Sequence, residues 1–433
     1  MTLRLGTATA DITPPPGVPM GGYGARTDSA AGTLDALTCR VVVASDEGVS
    51  LALVALDLVY VATPWATPLR ARIARALGGD AAGVLIAATH THAGPAVFRS
   101  AVVESAELRA YEDRLAALVE ATAVAAATQQ RPVDLALGEA PVPGVAANRR
   151  DPAAAIDTSV RVLVARSAAA SCAGVIAVFG CHPTVLPSAN LLYSRDLFGA
   201  AVDAAEQRLG VPVVLFNGAA GDVSTRFTRR DQSPAEVRRL GLLLGDGIVR
   251  AAATATPLAS APLAARVDDV PVDLCETPSA ESAQERVATA AKQLEDGGVG
   301  EANVGERRRA AAQLEGALAQ LFMATHGGAA GILGHRPRQA TLQLLRLGGC
   351  DLVAVPGELL SGVGGAVRAA RRRPTLLVGY ANDYLGYFVP PADAARGGYE
   401  ALMAFLEPAS AEAIAHRLGT LDLQGQAPAS GAR

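Results

Sequence analysis

The feature that most constrains this chain is a recurrent short apolar run, rich in β-branched residues and closed at each end by turn formers. RVVVAS (40–45), LALVALDLVY (51–60), GVLIAAT (83–89), VRVLVA (160–165), AGVIAVFG (173–180) and VPVVLFNG (211–218) all have this form. Runs so short and so continuously apolar predict strands buried on both faces. Between several of them lie helical patterns, over Trp65 to Leu77, Ala106 to Thr128 and Leu197 to Leu209. The alternation predicts an α/β fold with mixed β-sheets flanked by helices. The same texture returns in TLQLLRLGGCDLVAVPGE (341–358) and TLLVGYAND (375–383), so one large domain over residues 1–423 is expected. No internal repeat is visible in the sequence.

The texture changes between about residues 278 and 325, in SAESAQERVATAAKQLEDGG and GERRRAAAQLEGALAQLFMATHGG. Good helix formers, a charged face and a Gly-rich break near Gly297 predict a helical hairpin inserted into the domain. Two readings are open for it: a solvated insertion packed on the core, or a cap over a cleft. The last ten residues, QGQAPASGAR (424–433), read as a disordered tail.

Composition narrows the partners. The formal net charge of −4 gives no basis for a nucleic-acid or anionic-membrane partner. Lys292 is the sole lysine, so arginine carries nearly all the positive charge. The five cysteines are odd in number, scattered and free of CxxC spacing, which argues against a disulfide framework or a cysteine zinc site. The opening MTLRLGTATADITPPPG lacks the apolar stretch of an export signal, and no run is long enough to span a bilayer. A cytoplasmic protein without stable membrane insertion is the expectation.

Histidine is scarce, with six in the chain, and three stand at strand ends. His90 and His92 end GVLIAATHTHAGP, and His182 follows AGVIAVFGC. Residues two apart on an extended segment share a face, so His90 and His92 should project together, as packing groups, a catalytic pair or half of a metal site. Ligands gather at the carboxyl ends of strands in α/β sheets. Three clustered imidazoles suit zinc, which can add a carboxylate and keep one position open. Glu358, in the VPGE turn, is a candidate carboxylate, although an isolated turn glutamate is more often a solvated loop residue. His326, His335 and His416 read as ordinary.

Eight motifs in order then carry a resemblance: ADITPPPGVPMGGYGAR (10–26), ATHTHAGP (88–95), ANRR (147–150), GCHPT (180–184), SRDLFG (194–199), NGAAGDVS (217–224), PGE (356–358) and NDYLGY with GGYE (382–400). The chain resembles the catalytic domain of the neutral, non-lysosomal ceramidases, zinc-dependent hydrolases of an N-acyl amide. The resemblance implies Zn2+ bound by His90, His182, Glu358 and Tyr387, with Tyr384 the rival to Tyr387. It implies that His92 and Arg149 line the catalytic centre, with Arg150 the rival to Arg149, and that Tyr399 polarises the substrate carbonyl. Ser224 reads as a structural turn, since no G-x-S-x-G elbow surrounds it and Thr225 and Arg226 replace the family's proline and asparagine. Asp222 and Asp196 are candidate carboxylates for orienting a zinc histidine. The family's carboxyl-terminal β-sandwich and export signal are not found in this sequence, which opens the substrate to small N-acyl compounds other than ceramide. An acyltransferase or condensing enzyme using the same site is the alternative reading.

Overall fold

The computed structural model describes residues 2–24, 26–98, 105–167, 172–296, 304–334 and 337–423. The expected disordered tail, the break near Gly297 and His335 lie outside these residues.

Among the described residues three large sheets, accompanied by three two-stranded ones, dominate the fold, and the large ones share one plan. In the first, Arg4–Asp11, Thr38–Asp46 and Val49–Leu56 run antiparallel in sequence, and Val84–Ala88 adds parallel to the third after the helix Thr63–Ala76. The second repeats this with Asp134–Pro141, Ser159–Arg166, Cys172–Phe179, the helix Asp196–Leu209 and the parallel strand Val213–Asn217. The third does so again with Ala264–Pro271, Gln339–Leu347, Cys350–Ala354, the helix Ser361–Ala370 and the parallel strand Thr375–Val378. The sequence shows no repeat because strand order depends on pairing and crossover, and many apolar sequences satisfy the same pattern.

Period-two side-chain alternation explains why the strand runs are apolar throughout. In the first sheet Val42, Leu53, Leu85 and Ala87 point inward, meeting Leu163, Ile176 and Phe216 of the second sheet and Leu345, Leu352 and Leu376 of the third. The intervening Val41, Val43, Val54 and Ile86 point outward, where Leu69, Ile73, Leu115 and Val119 of flanking helices cover them. On the third sheet Leu344, Val353 and Leu377 pack outward against Ile414 and Leu418. Each sheet is thus buried on both faces.

The strand-end segments lace the three sheets together. Asn217, fully buried, accepts the Cys181 amide at 3.2 Å and donates to the carbonyls of Cys181 at 3.1 Å and Thr89 at 3.2 Å. Its own carbonyl accepts the Gly379 amide at 2.9 Å. Asn382 donates its amide to Ile86 O at 2.7 Å and accepts the Ile86 amide on Oδ1 at 3.0 Å. The ends that carry the strand-end histidines are therefore fixed relative to each other and to the third sheet.

The helices Ala280–Asp296 and Val304–Thr325 pack on one another, and the second also meets the short helix Tyr399–Leu402. Gly316 permits that approach: a Cβ there would lie 3.1 Å from Leu402 Cδ1 and 3.2 Å from Tyr399 Cδ2.

Candidate active site

The proposed ligands converge where the carboxyl ends of the three sheets meet. His90 follows Val84–Ala88 by two residues, His182 follows Cys172–Phe179 by three, and Glu358 follows Cys350–Ala354 by four. All three are buried, with exposures of 2%, 1% and 0%.

The reason His90 and His92 meet differs from the expected pleat. The strand ends at Ala88, and His90 takes a left-handed conformation with φ of 71°. Such a φ is costly for a residue with a Cβ and persists only when neighbours over-determine it. Here Leu58 O accepts the His90 amide at 2.9 Å and Thr91 Oγ1 donates to Ser194 O at 2.6 Å. The imidazoles still come together, Nε2 to Nε2 at 3.3 Å, through a turn and not along an extended strand.

Backbone carbonyls set the tautomers. Since a carbonyl only accepts, Nδ1 of His90 carries the proton it shares with Val59 O at 2.6 Å, and Nδ1 of His182 carries the one it shares with Ala220 O at 2.8 Å. Each Nε2 then presents a lone pair to the same region. The expectation that Asp222 or Asp196 would orient a histidine is overturned. Asp222 binds Asn148 Nδ2 at 2.7 Å and the Ser361 amide at 2.6 Å, while Asp196 accepts the amides of Val185, Leu186 and Leu197. A second buried anion beside each histidine would be costly, and the carbonyls fix the tautomer without that charge.

Glu358 lies between the two imidazoles. Its Oε2 is 3.0 Å from His182 Nε2 and its Oε1 is 3.6 Å from His90 Nε2. Tyr384 donates to Oε1 at 2.6 Å and Tyr380 to Oε2 at 3.2 Å. Burial pushes the His90 imidazole down to about 4, against the pull of Glu358, so it is neutral near pH 7. Burial raises the Glu358 carboxyl, but His90, His182 and Arg149 outweigh it and hold the group at about 2. A neutral His90 beside an ionised Glu358 carboxylate is the pair of protonation states a cation requires. His90, His92 and His182 could hold a metal ion, since one ligand atom from each lies within 4.8 Å of the others.

Around this group stand the remaining predicted residues. The Tyr387 hydroxyl is 3.3 Å from His182 Nε2 and accepts from Arg149 Nη2 at 3.0 Å. Its rival Tyr384 instead stacks on Tyr60, with ring centroids 4.8 Å apart, and reaches Glu358. Arg149 is buried and its Nε donates to Glu400 Oε1 at 2.8 Å. Burial works against its charge, yet Tyr387 and Glu400 raise it well above the ordinary arginine range. Arg150 turns away to the Gly397 carbonyl at 2.7 Å. Tyr399 lies under the Arg149 guanidinium, 5.1 Å from its ring centroid. Burial and the neighbouring His90, His182 and Arg149 hold His92 well below its ordinary value. Ser224 accepts the Arg226 amide on Oγ at 3.2 Å, within a two-residue strand paired to Ala147–Asn148.

Sequence reasoning passed over four supports of this site: Asn217, Tyr380, Glu400 and Gly22. All but Tyr380 lie inside quoted motifs, Asn217 in NGAAGDVS, Glu400 in GGYE and Gly22 in ADITPPPGVPMGGYGAR, which was the available signal. Gly22 has φ of 96°, and a Cβ there would lie 2.6 Å from both Cα and Cβ of His92. GGYG therefore forms the wall against which His92 rests.

Residues 3–215 match the family model described as neutral/alkaline non-lysosomal ceramidase, N-terminal. This segment belongs to the neutral ceramidase family. The whole fold agrees: a crystal structure of neutral ceramidase from Pseudomonas aeruginosa superposes with a TM-score of 0.74 at 21% identity, covering 97% of this chain and 74% of that one. A ceramidase structure described as complexed with C2 matches with the same figures. No curated protein matches the chain by sequence. His90, His92, Arg149 and His182 fall inside the matched segment; Glu358, Tyr387 and Tyr399 lie beyond it. Among the described residues no helix is long and apolar enough to cross a membrane.

Proposed function

We propose that the chain is a zinc-dependent amidohydrolase that cleaves the C–N bond of a small N-acyl substrate. The observation that carries this reading is the pair of carbonyl-anchored imidazoles, His90 and His182, whose Nε2 atoms face the ionised Glu358 carboxylate. Two imidazole nitrogens, one carboxylate and the Tyr387 oxygen form a donor set that suits zinc. Bound by these groups, zinc supplies Lewis acidity, polarising a carbonyl oxygen and bringing the pKa of water toward neutrality.

The chain's own residues do the rest. Arg149, held on Glu400 and beside Tyr387 and Tyr399, stabilises negative charge on the amide oxygen as the carbonyl is attacked. Tyr399, whose hydroxyl burial keeps protonated, donates to that oxygen. His92 enters neutral, takes a proton from the attacking water and returns it to the departing nitrogen. Water thereby supplies OH to the acyl carbon and H to the amine, and only the C–N bond is broken.

His90→Ala tests the assignment directly. Elemental analysis of the purified variant should find zinc lost, and turnover of N-acyl amides should fall below detection. Stoichiometric zinc in that variant would show that the ligand set is wrong.

A further inference from the structure

Four arginines beside the site have no carboxylate partner among the described residues. Arg26 donates to the carbonyls of His92 at 2.8 Å, Gly21 at 2.7 Å and Ser188 at 3.1 Å. Arg226 donates to Arg149 O at 3.2 Å, and Arg229 to Thr184 O at 2.7 Å. Arg308, from the second helix of the hairpin, donates to Arg226 O at 2.5 Å and Arg229 O at 3.5 Å. Apart from a 3.5 Å contact of Arg229 with the Thr225 hydroxyl, every acceptor is a backbone carbonyl. Neutral acceptors orient a guanidinium without cancelling its charge.

The four cations adjoin the reacting region through two residues. Arg26 is tied to the carbonyl of His92 and covers the Tyr23 ring, which in turn meets the His92 ring edge-on at a centroid distance of 5.0 Å. Arg226 is tied to the carbonyl of Arg149 and lies in the field of Arg149 and Arg229, while Arg229 lies in that of Arg308. Burial lowers all four from the ordinary arginine range, Arg226 to about 10. Arg26 Nη2 and Arg229 Nε are buried with no hydrogen-bond partner. Glu400 and Glu315 act on Arg226 and Asp196 on Arg229 as counter-charges without forming ion pairs with them, and burial itself raises the Glu315 and Asp196 carboxyls. Half-buried cations in this number, with donors unspent, are costly without an anion.

We infer that Arg26, Arg226, Arg229 and Arg308 form an anion subsite, and that the substrate is an N-acyl compound bearing a carboxylate or phosphate near its amide. The inference rests on the hydrolase reading for the position of the amide. It assigns specificity to the segment Ser224–Arg229 and the hairpin, leaving the chemistry to the convergent strand ends. Arginine suits the task, since its planar fork matches both oxyanions.

Matched substrates test it. Rates on N-lauroylglycine and on the phosphate ester of N-lauroylethanolamine are compared with rates on neutral N-lauroylethanolamine. At least one anionic substrate should exceed the neutral one in kcat/KM by roughly tenfold or more, the scale of one charge-assisted contact; which of the two does so identifies the oxyanion. Arg226→Gln and Arg229→Gln should each erase that preference, the anionic rate falling by roughly tenfold more than the neutral rate does. A binding arm needs no cleavage: calorimetry should show the ketomethylene isostere of N-lauroylglycine binding at least tenfold tighter than its primary amide. Amide cleavage with equal rates and equal affinities overturns the subsite and leaves the hydrolase. Selective binding of the acid without cleavage of any amide keeps the subsite and removes the hydrolase. The wild-type comparisons decide both points even where a variant fails to fold.

Discussion

Glu400 shows how much a single residue outside the proposed ligand set can control. Its buried carboxylate holds the Arg149 guanidinium at Nε while Tyr387 accepts from Nη2, and Arg150 Nε approaches its other oxygen at 3.5 Å. Removing one partner of a buried ion pair leaves the other charge uncompensated, at a cost of about 3 kcal/mol or more. Glu400→Gln should therefore reduce kcat by on the order of a hundredfold, as expected when an oxyanion donor is misaligned. Zinc content should stay stoichiometric, because Glu400 touches none of the proposed ligands except through Arg149. Gly22 makes a related case by shape alone. Gly22→Ala must displace His92 or strain a φ of 96°, so activity should fall while denaturant titration reports a loss of about 1 kcal/mol or more.

At the scale of elements, the start of the helix Asp196–Leu209 carries its own pH dependence. Asp196 has φ of 50°, and its carboxylate binds three backbone amides in a buried setting. Burial outweighs those bonds and raises the carboxyl to about 6. With the folded value above the unfolded one, the native state binds the extra proton between about pH 4 and 6, so stability falls as pH rises through that window. The loss is on the order of 3 kcal/mol and complete above about pH 7. Urea titrations should show the wild type losing stability relative to Asp196→Asn as pH rises from 4.5 to 7.5, an asparagine being neutral throughout and tolerant of that φ. A constant difference across the range would refute the assignment.

The same scale separates what the sequence made legible from what it concealed. Strand-length apolar runs announced both-face burial, and the residues at their ends, His90, His182 and Glu358, converge in the fold. The left-handed turn at His90 was not legible, because tertiary hydrogen bonds impose it on a residue that adopts positive φ only in a minority of settings. Nor was the anchoring of the imidazoles by carbonyls: every residue has a carbonyl, so its use leaves no mark in residue identity. Asn217 and Glu400 stood within recognised motifs, but their partners lie far along the chain, and no local pattern connects them. The threefold recurrence of sheet topology was invisible for the same reason.

For the whole molecule, the proposed ligand set draws on the ends of all three large sheets: His90 follows a strand of the first, His182 a strand of the second, and Glu358 and Tyr387 pair in a two-stranded sheet just beyond the third. A cation bound there couples their stabilities, since it binds only the assembled state. Stripping zinc with a chelator should lower the unfolding free energy by about 3–5 kcal/mol and reduce Tm, with restoration on adding zinc back. Calorimetry on metal-free and reloaded protein checks this. An unchanged Tm after verified metal loss would mean that Asn217, Asn382 and the apolar interior hold the sheets without help.

The interlacing of strand ends also sets an order of events during synthesis. The first two sheets can form while translation continues, bringing His90 and His182 together once Asn217 has emerged. The groups that complete the proposed site arrive with the last stretch of chain, beginning at Glu358 and ending at Tyr399. Between the emergence of Asn217 and that of Glu358 the two imidazoles wait for the carboxylate, so metal capture by the proposed set would follow the third sheet's synthesis. Truncation or stalling late in the message would then yield a largely structured product with no reactive centre.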